Sequence, residues 1–288
     1  MHHLIRLVAA LGLGLLSAAV IAVQPEQGSL VVGVVPYNSA PVVIGQHRPM
    51  VDRLRADFGV DVEFVTAPGF RAFFDAAANG NYDLMGMPSH FARLLQLDRG
   101  YVPLVHYESG ARSMVMVAAK GPISNPAQLA GKVLAVPDRT ALATILILEW
   151  LERKGMRAGR DYRLFEATTF NAAAIAVERG EAAAAISAPA ALAQMSPETR
   201  AGLRTIVDSG EFPNLVFVAH PRLLKATREK LKQSLLSFVA SPEGKIFSEA
   251  TGFKGISAIT PQMMRRLDPY MKETRRVLGW QTPAKAKQ

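Results

Sequence analysis

Short apolar runs alternate with helical stretches along the chain from about Ser29 onward. The run at 30–35, LVVGVV, has no charged position, which is typical of a strand buried on both faces of a sheet. The next stretch, 43–58, places apolar residues at helical spacing instead. Further strands are predicted at 60–65, 82–87 and 101–107, with helices at 69–79 and 89–96. Strands separated by helices of about ten residues predict a mostly parallel sheet with right-handed crossovers.

The second half of the chain repeats this order of elements without repeating its sequence. Strands are predicted at 113–119, 132–136, 161–166, 181–186, 203–207 and 215–219, and helices at 140–154, 171–179 and 189–194. The tail is predicted to be helical at 227–240, 242–250 and 261–278. This pattern predicts two similar α/β lobes. Lobe 1 would hold residues 27–115 plus 216–288, with the tail packed on it, and lobe 2 would hold 116–215.

The first residues have the pattern of an export signal. Residues 1–6 form a short basic segment, and residues 7–22 are uncharged and apolar. Val20 and Ala22 occupy the two positions that signal peptidase recognises before its cleavage site. We therefore predict a signal peptide at 1–22 and a periplasmic location. The alternative is a retained membrane anchor, for which the apolar stretch is short.

Composition excludes several kinds of site. The chain has no cysteine, which excludes disulfides, zinc–thiolate sites and cysteine nucleophiles. His47, His106 and His220 show no metal-ligand spacing with His90, so no metal site is expected. No cofactor or catalytic motif appears, which argues against an enzyme. The net charge of +9 arises mostly from basic residues late in the chain, which we interpret as solvated helix faces and not as a nucleic-acid site.

Candidate binding residues follow the predicted strands. In open parallel sheets, ligands bind beyond the carboxyl ends of the strands, where helix N-termini suit an anion. The side chains predicted to contact a ligand there are Tyr37, Ser89, His90, Tyr107, Arg139, Thr140 and Thr169.

Five of these positions also have a purely structural interpretation. Tyr37 stands in what is otherwise a plain turn, and Tyr107 either closes over a ligand or packs in the core. Ser89 and Thr169 are residue types that cap helices. Arg139 either binds an oxyanion bidentately or faces solvent.

Several segments resemble a known family. The segments at 32–37 (VGVVPY), 82–91 (YDLMGMPSHF) and 129–137 (LAGKVLAVP), followed by Ala219-His220-Pro221, are similar to the phosphate/phosphite/phosphonate-binding subunits of ABC transporters. The resemblance runs from about Ser29 to Leu267. It implies a type II periplasmic-binding-protein fold, in which two α/β lobes joined by two crossing strands close like a hinge on an oxyanion.

The chain departs from that family at three places. Ala141, Leu142 and Ala143 follow Thr140, where the family loop is richer in hydroxyls. Phe170 stands where some phosphonate and phosphite binders have a histidine. The stretch 187–191 holds no acid, where relatives place one that accepts a hydrogen bond from a protonated oxyanion or an amine.

The resemblance and the export signal together predict a monomeric periplasmic solute-binding protein. It would capture a small oxyanion, like phosphonate, phosphate or phosphite, and deliver it to an inner-membrane ABC permease. The alternative is a ligand-sensing partner of a membrane sensor kinase.

Overall fold

The computed structural model describes residues 28–167 and 169–281, so the predicted signal peptide lies outside them. The strands are β1 (Leu30–Val34), β2 (Val62–Val65), β3 (Leu84–Pro88), β4 (Val102–Tyr107), β5 (Ala111–Ala118), β6 (Val133–Val136), β7 (Arg163–Glu166), β8 (Ala184–Ser187), β9 (Leu203–Phe212), β10 (Leu215–Ala219) and β11 (Ile256–Ala258). The helices are α1 (Ala40–Phe58), α2 (Phe70–Ala78), α3 (Ser89–Arg99), α4 (Leu142–Arg153), α5 (Phe170–Glu178), α6 (Pro189–Gln194), α7 (Pro197–Ala201), α8 (Lys225–Ala240), α9 (Pro242–Thr251), α10 (Pro261–Arg265) and α11 (Met271–Val277).

The strands form two sheets flanked by helices. The six-stranded sheet has the order β11-β4-β10-β3-β1-β2, and the five-stranded sheet has the order β7-β6-β8-β5-β9. We call the first sheet with its helices lobe 1 and the second with its helices lobe 2. In each lobe three neighbouring strands are parallel, β2-β1-β3 in lobe 1 and β7-β6-β8 in lobe 2. The strands beyond them, among them β10 between β3 and β4, pair antiparallel.

The chain passes between the sheets twice. It leaves β4 through residues 108–110 and enters β5, and it leaves β9 through residues 213–214 and enters β10. β5 and β9 pair from Ala111↔Phe212 to Ala118↔Leu203, so the two passages lie side by side. The two sheets therefore face each other with the strand ends that carry these passages. We call these two rows of strand ends the facing edges.

The hydrophobic core has one cluster in lobe 1 and two in lobe 2. The lobe 2 clusters lie on opposite faces of its sheet, because Val115 and Val117 belong to one and Met114 and Met116 to the other. Leu142 and Leu146 of α4 belong to the lobe 1 cluster although their helix follows β6. One helix of lobe 2 is thus packed against lobe 1.

The predicted element boundaries differ most from the structure at three places. The single helix predicted at 261–278 is divided into α10, a 3-10 turn at Asp268–Tyr270 and α11, because Pro269 has no amide hydrogen to continue the helix. α1 begins at Ala40, ahead of the predicted start at 43, with Pro41 in its first turn, and it continues through Pro49. β9 extends to Phe212, five residues beyond its predicted end. None of the helices in the described part of the chain is long and apolar enough to cross a membrane.

Helix α9 approaches the end of α8 so closely that Gly244 has no room for a side chain. A Cβ at Gly244 would overlap the carbonyl oxygen of Phe238 and lie 2.7 Å from Cα of Val239. The same turn is held by Ser241, whose hydroxyl accepts a hydrogen bond from the Gly244 amide at 3.1 Å. Gly45, in the exposed part of α1, would meet nothing within 4 Å.

We expect Gly244→Ala to lower the free energy of unfolding by about 2–3 kcal/mol, because backbone atoms must move to admit the methyl group. Gly45→Ala is the matched control and should raise the free energy of unfolding by about 0.5–1 kcal/mol, since alanine favours an exposed helix interior. Urea unfolding of the two variants measures both effects. Equal changes in the two would contradict the close helix approach.

Candidate functional site

The turn from β3 into α3 is fixed at the face between the lobes. Ser89, the first residue of α3, donates its backbone N–H to the carbonyl oxygen of Asn214 at 3.0 Å. Asn214 lies on the second passage between the sheets, and Leu215 pairs with Pro88 at the end of β3. Ser89 and His90 are therefore buried at the edge of lobe 1 that faces lobe 2.

His90 links the two lobes. Its Nε2 lies 2.9 Å from the carbonyl oxygen of Thr140, in the loop that precedes α4. A carbonyl oxygen only accepts hydrogen bonds, so Nε2 carries the ring proton and donates it. Burial lowers the pKa of His90 to about 4, although the bond to Thr140 opposes this shift. His90 is thus neutral at neutral pH, and its Nδ1 bears a lone pair.

Five buried side-chain polar atoms have no hydrogen-bond partner within the described residues. They are Ser89 Oγ, His90 Nδ1, Ser113 Oγ, Thr144 Oγ1 and Ser187 Oγ. Buried polar groups in proteins are nearly always paired, and leaving one unpaired costs about 1–3 kcal/mol. An accumulation of such atoms therefore indicates a candidate site, because a bound molecule can supply the missing partners.

All five atoms belong to the facing edges of the two sheets. β6 and β8 are parallel, so Ser187 at the end of β8 and α4 after β6 lie at the same edge. β5 runs antiparallel to β8, so Ser113 near its start lies there too. Met114 is the residue that pairs with Ser187, which means that Ser113 and Ser187 project to opposite faces of the sheet at this edge.

The helix N-termini add backbone donors to this group. α3 and α4 begin at the facing edges, and the first turn of any helix has N–H groups without an intrahelical acceptor. Together with the dipole of each helix they favour an anion. No lysine or arginine is buried within 28–167 and 169–281. The described residues also hold no cluster of His, Asp or Glu that could bind a metal ion. The site thus offers neutral donors and one neutral acceptor.

The structure brings together three of the seven residues predicted from sequence. Ser89 and His90 contribute side chains to the facing edges, and Thr140 contributes its carbonyl oxygen. The Thr140 hydroxyl donates instead to Asp138 Oδ1 at 2.7 Å.

The other four predicted residues have partners elsewhere in the protein. The Tyr107 hydroxyl contacts His47 Nε2 at 3.0 Å, and its ring stacks on Phe253 with centroids 4.0 Å apart, so Tyr107 packs in the core of lobe 1. Burial raises the pKa of Tyr107 well above its usual value.

Tyr37, Arg139 and Thr169 likewise bind protein groups. The Tyr37 hydroxyl donates to Gln46 Oε1 at 2.9 Å, and Arg139 forms an exposed ion pair with Glu166. Thr169 accepts a hydrogen bond from the backbone N–H of Ala172 at 3.0 Å and so caps α5.

Three residues at the facing edges were missed by the sequence analysis. The sequence pattern predicts only a strand start at Ser113, and at Ser187 only a stretch without an acid. Thr144 interrupts the apolar run from Leu142 to Leu148 as a single hydroxyl. A single polar residue inside an otherwise apolar run is a signal in the sequence that could have identified Thr144. The structure shows that this run is buried throughout.

Comparison with known proteins gives a consistent family and fold. The family model described as "ABC transporter, phosphonate, periplasmic substrate-binding protein" matches residues 32–264. Among solved structures, XAC2383 from Xanthomonas citri bound to chloride is similar, with 20% identity, a TM-score of 0.76, and coverage of 86% of this chain and 98% of that one.

Two phosphonate-related structures are also similar. PhnD1 from Prochlorococcus marinus in complex with methylphosphonate has 13% identity and a TM-score of 0.70, with 88% and 99% of the two chains covered. A binding-protein component of a phosphonate ABC transporter from Pseudomonas aeruginosa, PA3383, has 15% identity and a TM-score of 0.69, with 88% and 89% covered. At these identities the likeness concerns the fold, and the expected type II periplasmic-binding-protein fold is confirmed.

Acid should destabilise the protein through its buried neutral histidines. The pKa values of His90 and His47 are lowered from 6.5 to about 4, mainly by burial, so the unfolded chain binds more protons than the folded one between these values. Each histidine therefore makes its full contribution to the free energy of unfolding above about pH 6.5. The free energy of unfolding decreases as the pH drops towards 4, by on the order of 1–2 kcal/mol per histidine at about pH 5.

Urea unfolding of wild type and His90→Gln at about pH 7.5 and pH 5 isolates the share of His90, because glutamine does not titrate. The variant should lose less stability than wild type over this interval. An identical loss in both proteins would show that His90 does not resist protonation.

Proposed function

The chain belongs to the periplasmic substrate-binding proteins of phosphonate ABC transporters, and from this we propose that it captures a small phosphonate-type oxyanion between its two lobes. The observation that carries the proposal is the set of unpartnered buried polar atoms at the facing edges of the sheets. A tetrahedral oxyanion accepts several hydrogen bonds at once, and hydroxyls that lack a protein partner are free to donate them. The ligand would thus complete hydrogen bonds that the chain leaves open.

Lobe 1 would supply the hydroxyl of Ser89 and the N-terminus of α3. Lobe 2 would supply the hydroxyls of Ser113, Thr144 and Ser187 and the N-terminus of α4, whose first turn includes Thr144. Donors on both lobes mean that the ligand is fully bound only when the lobes are close together. The bond from His90 to Thr140 and the packing of Leu142 and Leu146 against lobe 1 would stabilise that closed arrangement.

Closure would be a hinge motion of the two lobes, with β1 to β4, β10 and β11 on one side and β5 to β9 on the other. The hinge would lie in the passages at 108–110 and 213–214, because these are the segments that connect the two sheets. An oxyanion that contacts both lobes favours the closed state, because it binds the closed state more tightly than the open state.

The proposed cellular role is delivery of the ligand to an inner-membrane ABC permease by a monomeric protein exported with a signal peptide at 1–22. The family match supports a solute-binding role in transport, in which the protein carries ligand and does not transform it. It gives no support to the alternative of a sensor-kinase partner.

Methylphosphonate, phosphite, phosphate and sulfate form a suitable panel of probes for isothermal calorimetry and thermal unfolding. At least one of the first three should raise the melting temperature, because a ligand that binds only the folded state stabilises it. A panel that gives no heat and no shift at about millimolar concentration would overturn the proposed function.

Thr144→Val should weaken binding of the oxyanion about tenfold or more, because one hydrogen bond to a charged ligand is lost. The matched control is Thr274→Val. Thr274 is also a fully buried helical threonine, but its hydroxyl donates to the carbonyl oxygen of Tyr270 at 2.8 Å. Thr274→Val should lower stability and leave affinity unchanged, whereas equal affinities for wild type and Thr144→Val would exclude Thr144 from the site.

A further inference from the structure

His90 presents an acceptor where an anion is expected to bind. Nε2 is committed as a donor to Thr140, so Nδ1 can only accept a hydrogen bond while the ring is neutral. The two ring nitrogens are separated by a single carbon, so Nδ1 is enclosed at the same face between the lobes. It is buried and has no partner among the described residues, and the neighbouring Ser89 hydroxyl has none either.

A fully deprotonated oxyanion does not suit this atom. Its oxygens bear only lone pairs, and two lone pairs facing each other in a buried site repel. An oxyanion that keeps one acidic hydrogen offers Nδ1 an O–H donor, while its remaining oxygens accept from the serine and threonine hydroxyls. Building on the proposed function, we propose that the site selects the hydrogen-bearing form of its oxyanion, and that His90 Nδ1 is the specificity-determining acceptor.

No charged group takes the place of that hydrogen. Most charged side chains on the elements around His90 are bound to other groups: Asp138 to Thr140, Arg139 to Glu166, Arg93 to Asp268, Arg71 to Asp75, Arg275 to Asp98, Arg276 to Glu273, Arg222 to Asp83, and Arg266 to the carbonyl oxygen of Glu211. Arg265 and Lys272 are exposed to solvent. His106 on β4 contacts the carbonyl oxygen of Tyr107. The pKa of His90 is shifted by burial and by Thr140, with no contribution from a charged neighbour.

The proton balance of the complex does not depend on which atom holds the hydrogen. A hydrogen-bearing monoanion on neutral His90 and a dianion on protonated His90 have the same composition, with one proton between Nδ1 and a ligand oxygen. Above the second pKa of the ligand, free ligand and free protein both lack that proton. Affinity should therefore fall about tenfold per pH unit in that range.

Methylphosphonate and methanesulfonate test this directly. Hydrogen methylphosphonate and methanesulfonate have the same charge and nearly the same shape, and they differ by the one O–H. At about pH 6, wild type should bind methylphosphonate at least about tenfold more tightly than methanesulfonate, because a buried acceptor is left unpaired by the sulfonate. From about pH 7.5 to pH 9 the methylphosphonate affinity should fall, and any binding of methanesulfonate should stay constant.

Two variants of His90 separate selectivity from lobe closure. His90→Asn keeps an acceptor oxygen at the position of Nδ1 and loses the bond to Thr140, so it should bind both ligands more weakly and keep the preference. His90→Gln keeps a donor for Thr140 and loses the acceptor at Nδ1, so the preference and the pH dependence should disappear. Circular dichroism checks that both variants are folded.

The outcomes distinguish this inference from the proposed function. Equal affinity of wild type for methylphosphonate and methanesulfonate, or a methylphosphonate affinity that does not change with pH, would overturn the selection of the hydrogen-bearing form and leave oxyanion binding in place. Absence of binding by every oxyanion in the panel would overturn both.

Discussion

The hydrogen bond from His90 Nε2 to the carbonyl oxygen of Thr140 is the contact on which the geometry of the site depends. It joins the first turn of α3 in lobe 1 to the loop before α4 in lobe 2 at 2.9 Å. By using Nε2 as a donor it also determines that Nδ1 is an acceptor. One bond therefore brings the two helix N-termini to the same face and defines the single acceptor among their donors. The packing of Leu142 and Leu146 into the lobe 1 core supports the same approach of the lobes.

Recognition by neutral groups has a cost in the free protein. Each unpaired buried hydroxyl or ring nitrogen destabilises the folded state by about 1–3 kcal/mol relative to a paired one. This cost is offset by burial of the apolar clusters in the two lobes, which stabilises the fold as a whole. A site built from buried cationic side chains would attract any anion of sufficient charge, and the desolvation of those charges would destabilise the free protein still more. Neutral donors at fixed positions distinguish ligands by shape and by the location of their hydrogens.

The sequence predicted the fold better than the site because the two depend on different information. Period-2 and period-3.6 patterns are local, and they identified nearly every strand and the helices that follow them. The sequence also predicts the position of Ser89 and His90 at the facing edges, because the end of a strand in a parallel sheet is itself a local signal. Tyr107 was misassigned because the partner that buries its hydroxyl, His47, is distant in sequence. The sequence does not distinguish Thr144 from other helical threonines, because the burial of its hydroxyl without a partner depends on how α4 packs.

Comparison with His47 supports a binding role for the open nitrogen of His90. Both histidines are fully buried and neutral, with pKa values lowered to about 4. His47 is satisfied on both nitrogens, since Nδ1 bonds the carbonyl oxygen of Val43 at 2.9 Å and Nε2 bonds the Tyr107 hydroxyl at 3.0 Å. The same chain thus completes a buried histidine where the protein alone must stabilise it. At His90 it completes one nitrogen only and leaves the other at the face between the lobes, where an arriving ligand can supply the missing hydrogen.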